Sequence, residues 1–276
     1  MGVGPMYRRS LLALGIAALF GVPLLGALTA PAEANNSWNG YHWARTGNPF
    51  TVKLGDNVNS TWDPILATTS SDWNKSTVLD TTIVTGNTQP RKCRATSGQV
   101  EVCNDTYGRN GWLGVASIWL SGSHITQGTV KLNDSYHNSA PYNTTAWRNL
   151  VSCQEVGHTF GLDHQDENFN NANLGTCMDY TNDPSTNQHP NTHDYVELET
   201  IYSHSDSTTT VGAIAPSTRG SQNRDDEPGD SPSDWGRAVR NDPSGRANVF
   251  EQDLGGGRKK VTHVFWVPRG NAHPQP

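Results

Sequence analysis

From residue 48 to about 203 the chain alternates apolar and polar positions with two different periods. Pro49-Phe50-Thr51-Val52-Lys53-Leu54 alternates every second residue and predicts a strand. Thr81-Thr82-Ile83-Val84 predicts another. Gly114-Val115-Ala116-Ser117-Ile118-Trp119-Leu120 is nearly continuous in apolar residues, as in a strand covered on both faces. Residues 125–132 are more polar and read as an edge-type strand. A longer period marks three helices. Asp63-Pro64 opens one through Ile65, Leu66 and Trp73, with proline in the first turn where its missing N–H costs nothing. Thr144 or Thr145 can cap a second through Trp147, Leu150 and Val151. Residues 190–202 carry Val196, Leu198, Ile201 and Tyr202 at helical spacing.

The pattern lapses at 213–235, where Pro, Ser, Gly and charge predict a linker or long loop. It returns at 236–276 as two apolar runs, 247–250 and 261–267, around Gly255-Gly256-Gly257: a C-terminal β-hairpin appendage. A lone hairpin is marginal in water, so it is expected to pack on the preceding domain, 35–212.

Residues 1–34 follow another logic. Arg8 and Arg9 precede an apolar run from Leu11 to Leu28 and then Ala32-Glu33-Ala34, the layout of a cleavable signal peptide. The arginine pair also resembles a twin-arginine signal. The expectation is a secreted, extracellular chain with no membrane anchor after cleavage. Only about fifteen residues then precede the first strand, so no prodomain is expected. Residues 35–212 carry 9 basic and 17 acidic side chains, whereas 213–276 carry 9 and 8. An acidic main domain argues against nucleic acid and anionic membranes as partners. Four cysteines in an exported chain suggest two disulfides, for which three pairings exist. Cys93 with Cys103 closes a short loop. Cys153 with Cys177 joins two segments that both carry candidate chemistry.

That chemistry lies in Cys153-Gln154-Glu155-Val156-Gly157-His158-Thr159-Phe160-Gly161-Leu162-Asp163-His164. Positions 154 and 158 share one helix face, and Glu155 lies about a quarter-turn away. Gly161 lets the chain leave the helix at positive φ, and His164 can then swing back. The stretch is one residue from the extended zinc-peptidase pattern H-E-x-x-H-x-x-G-x-x-H, with Gln154 in the first histidine's place. Cys177-Met178-Asp179-Tyr180 follows after a polar loop.

With these residues the chain resembles a metzincin-type zinc metallopeptidase, closest to a secreted bacterial matrixin-like enzyme. The resemblance is sharp over 145–180 and looser over 48–203. It implies an α+β zincin fold: a mixed twisted sheet, an active-site helix and a C-terminal helix. It also implies zinc on His158, His164 and Gln154, although an amide oxygen is a poorer zinc donor than imidazole. Glu155 would activate the metal's water, Tyr180 would steady the oxyanion, and Met178 would form the Met-turn beneath the metal. A strand over 125–132 would bind substrate backbone. The expected function is a zinc-dependent endopeptidase acting on protein or peptide substrates as a monomer. The alternative is an inactive binding protein on the same fold. Oxygen donors crowd 165–175 and make calcium a second candidate ion, although no EF-hand spacing occurs. His189 and His193 are candidate replacement ligands.

Overall fold

The computed structural model describes residues 1–4, 36–213 and 227–268. The chain divides into two compact units, 1–33 and 34–276. Nearly all of the expected signal peptide lies outside the described residues, as does 214–226 of the expected linker.

The second unit is α+β, built on one mixed sheet. Its strands are β1 (His42–Trp43), β2 (Phe50–Asn57), β3 (Leu79–Thr85), β4 (Gln99–Asp105), β5 (Trp112–Ser121), β6 (His124–Asn133), β7 (Arg237–Asn241), β8 (Ala247–Gly255) and β9 (Arg258–Trp266). The order is β3-β2-β4-β6-β5-β9-β8-β7, with β1 beside one end of β6. Pairings on the β3 side, as far as β6, are parallel, and from β6 through β5 to β7 they are antiparallel. The helices are α1 (Asp63–Trp73), α2 (Asp134–His137), α3 (Thr145–His158), α4 (Thr192–Ile201) and α5 (Pro232–Trp235). Among the described residues no helix is long and apolar enough to cross a membrane.

One local expectation needs correction, and the sheet adds two features to the sequence reading. The strand at 125–132 is not an edge: β6 lies between β4 and β5 and is hydrogen-bonded on both sides. Several of its polar residues find partners within the fold. Lys131, for example, is buried and reaches the Asp230 carboxylate at 2.7 Å. Next, β4 gives no strong strand signal because Glu101 interrupts its apolar run. That carboxylate is fully buried, and it accepts hydrogen bonds from Gln99 at 2.6 Å and Asn57 at 2.7 Å. Finally, the C-terminal hairpin is part of a three-strand extension, β7–β9, that joins the main sheet through β5. Val249, Val261 and Phe265 enter the same apolar core as α3. Within the stretch read as linker, Trp235 is fully buried.

One buried group gives the fold a pH dependence. His137, at the end of α2, is enclosed beside Trp62, with Nδ1 at 3.3 Å from the Tyr142 carbonyl and no partner for Nε2. Burial lowers its pKa to about 4. Above pH 6.5 it is neutral in both folded and unfolded chains. As pH falls from about 6.5 to about 4, the unfolded chain takes up a proton that the folded one refuses, so stability falls. The total for this group is on the order of 3 kcal/mol. Denaturant titrations across this range should give a shallower slope for His137→Gln than for the parent chain.

Candidate metal centre

Helix α3 carries the first part of the site. Thr144 caps it by accepting from the Trp147 N–H at 3.3 Å, and it ends at His158. Gly114 on β5 lets it lie close, because a Cβ there would stand 2.6 Å from Val151 and 2.8 Å from Glu155. The chain then turns at Gly161, whose φ is +95°. A Cβ at that position would fall 2.0 Å from the Tyr41 carbonyl, so only glycine fits the turn. The turn brings His164 back until its Nε2 is 3.1 Å from the Nε2 of His158. Two nitrogens on a tetrahedral zinc stand about 3.3 Å apart.

The outer nitrogens of both rings are anchored. Nδ1 of His158 lies 2.8 Å from the Leu162 carbonyl, and Nδ1 of His164 lies 2.9 Å from Glu167 Oε1. Each Nδ1 therefore carries the proton and leaves a lone pair on Nε2, the usual orientation of a metal-binding histidine.

A third imidazole joins them from the far end of the chain. His263 on β9 stacks on His158, with centroids 3.9 Å apart, and meets His164 at 4.5 Å. One ligand atom from each of the three histidines fits within a 4.8 Å set. Burial, reinforced by the neighbouring histidines, lowers His158 to about 3 and His263 well below the ordinary imidazole range. Both are thus neutral at physiological pH, the form that binds metal. The hairpin is bolted to this cluster. Arg240 on β7 pairs with both oxygens of Asp163 and, at 3.1 Å, with Glu167. Asn248 donates to Glu167 at 3.0 Å.

The residues singled out by the motif lie around these rings. Gln154 donates through Nε2 to the Cys177 carbonyl at 2.7 Å, while its Oε1 is buried without a partner. Glu155 is fully buried, and neither carboxylate oxygen completes a hydrogen bond to protein. Burial holds its carboxyl well above the usual carboxylate range, opposed only weakly by the nearby Ala116 backbone. Ala116 is itself the register partner of His263 across β5 and β9, which sets Glu155 near the third imidazole. Met178 lies under the helix: a Cβ on Gly157 would stand 2.8 Å from its sulfur. Tyr180 packs its ring at 4.1 Å from His164 and between Phe169 and Phe265. Its hydroxyl reaches the Val264 carbonyl at 3.5 Å and also meets the Asn248 side chain. Cys153–Cys177 and Cys93–Cys103 are disulfides, and the first ties α3 to the Met178 turn.

Other candidates lie elsewhere. His189 is exposed and pairs with Asp72 at 2.6 Å. His193 begins α4 and belongs to none of the metal-type clusters among the described residues. In the 165–175 loop some of the oxygen donors proposed for calcium are used locally, while Asn171 Oδ1 is buried without a partner. Asp166 and Asn168 accept from backbone two residues on, and Asn173 donates to Asp183 and Thr186. His263 was not singled out in the sequence. The one signal for it is a histidine inside the apolar run 261–267.

The donor set can hold zinc: three imidazoles, two of them 3.1 Å apart, with an orphaned carboxyl and an orphaned amide oxygen close by, and with the Arg240 guanidinium donating to His263 Nε2 at 3.2 Å. The site is also closed. His158 and His263 are fully buried, Tyr180 is 1% exposed and His164 8%.

No family model and no curated protein matches the sequence. Among solved structures the fold is similar to high choriolytic enzyme 1, a hatching-enzyme zinc protease of the medaka fish Oryzias latipes. The identity is 10% and the TM-score 0.33, over 59% of this chain and 94% of that one.

Proposed function

We propose that the chain is a secreted zinc-dependent endopeptidase held in a closed resting state. The observation that carries this reading is the buried cluster of His158, His164 and His263 beside Glu155, a carboxyl group with no structural partner. A buried carboxyl without a strong hydrogen-bond partner is costly. A bound zinc would supply Lewis acidity at this cluster. Once the site opens and Glu155 regains contact with water it ionises, takes a proton from the attacking water and returns it to the leaving amine as the peptide C–N bond breaks. Tyr180 donates its hydroxyl to the developing oxyanion once β9 no longer covers it.

β9 occupies the edge of β5 beside α3, the edge an extended peptide would use by strand addition. Displacing β7–β9 frees that edge and withdraws His263. The free Oε1 of Gln154 then becomes the third donor with His158 and His164. Two disulfides suit export to an oxidising compartment.

A second reading is a non-catalytic secreted binding protein whose zinc is purely structural. It is favoured by the closure of the site, since structural zinc sites are closed and catalytic ones keep an open position. The two readings part on one measurement. Zinc-loaded full-length protein is incubated at neutral pH with an unfolded protein, and new termini are sequenced. Slow cleavage that stops on adding a chelator is expected. If neither the parent chain nor fully loaded His263→Ala cuts any bond, the peptidase reading fails.

A further inference from the structure

A second group of imidazoles converges at β1. His42 and His124 are register partners on β1 and β6, and their rings meet edge to face at 5.0 Å. The segment following α4 brings His204 and Asp206 against them. Nε2 of His204 lies 3.1 Å from Nε2 of His42. Asp206 Oδ1 lies 3.2 Å from His124 Nε2, 3.6 Å from His42 Nε2 and 3.7 Å from His204 Nε2. Three ring nitrogens thus surround one carboxylate oxygen.

The surroundings prepare these atoms for a cation. Nδ1 of His42 donates to the Gly40 carbonyl at 2.7 Å, which leaves the lone pair on Nε2, facing inward. Oδ2 of Asp206 is held by the Arg45 backbone N–H at 3.1 Å and by its guanidinium at 2.9 Å. Oδ1 is therefore the oxygen left to face the rings. A divalent cation placed among these atoms would meet imidazole nitrogens and one carboxylate oxygen at once.

We infer that His42, His204 and Asp206, with His124 beside them, form a second metal site of the zinc class. One ligand atom from each of His42, His204 and Asp206 falls within a common 4.8 Å set, and imidazole with carboxylate is a zinc-type donor combination. The site joins three distant stretches of chain: β1, the start of β6 and the segment after α4. Its position gives it a purpose. Trp43, the neighbour of His42, donates through its indole to the Thr159 carbonyl at 2.9 Å, and Tyr202 donates to the Phe160 carbonyl at 2.8 Å. A metal here clamps the residues that support the turn between His158 and His164.

The inference does not depend on the peptidase reading, and metal counting separates the two. Full-length protein is stripped of metal, titrated with zinc, and its bound zinc measured by mass spectrometry. Cobalt(II) provides an independent optical readout. The parent chain should bind two equivalents. His204 is nearly half exposed, so His204→Ala should fold normally and bind one. Asp206→Asn, which keeps the shape and removes the charge, should weaken the same equivalent roughly 100-fold. His158→Ala should lose the other equivalent and keep this one. The site is refuted if His204→Ala and Asp206→Asn bind as much zinc as the parent with the same affinities. The cluster would then be a hydrogen-bonded ion pair only.

Discussion

Replacing His263 with alanine should weaken zinc binding at the buried centre by roughly 100-fold. A structural zinc site is worth about 12 kcal/mol in total, so one of its ligands accounts for about 3 kcal/mol. The loss should be visible in competition with a chromophoric chelator. A second substitution, Gln154→His, makes the test sharper. Position 154 shares the helix face of His158, and its side chain reaches the Cys177 carbonyl directly beneath the site. In the His263→Ala background an imidazole at 154 should recover most of the lost affinity. At saturating zinc, His263→Ala should cleave an unfolded protein at least as fast as the parent chain, because the residue that leaves with the hairpin is already gone. If turnover instead disappears at full zinc occupancy, His263 is a working ligand and the hairpin a permanent part of the site.

Glu155→Gln should lower turnover by ~1,000-fold while leaving zinc bound. Positioned proton transfer contributes about 10²–10⁴-fold, and an amide of the same shape cannot carry the proton. Zinc content should hold, because Glu155 lies outside the set formed by the three imidazoles. The folded protein should gain stability, since an unpaired buried carboxyl is replaced by a neutral group of equal size. The combination of lower turnover, unchanged zinc and a higher unfolding midpoint is what a catalytic carboxyl produces. A structural role for Glu155 would lower the midpoint instead.

Much of the scaffold follows from local rules. Period-two alternation marks β2, and the continuous apolar run marks β5. Proline in the first turn starts α1, and Thr144 starts α3. These signals are legible because each depends on residues only a few positions apart. The strand read differently and the strand with no clear signal are both ones whose polar side chains find partners across the fold. The polarity of β6 suggested an edge, yet Lys131 pairs with Asp230, and the charge in β4 belongs to a buried network around Glu101.

The metal centre divides along the same line. The sequence by itself determined that His158 and His164 share one site, because the helix pitch and the positive-φ turn at Gly161 bring them together over six residues. It also determined Glu155's place a quarter-turn away. Only the tertiary structure decided where the third imidazole comes from. His263 arrives through the pairing of β9 with β5, a contact between segments more than a hundred residues apart, and no local spacing encodes it. The gathering of His42, His124, His204 and Asp206 has the same origin. Strand pairing is specified by burial and register over the whole sheet, so its consequences appear only once the chain has folded.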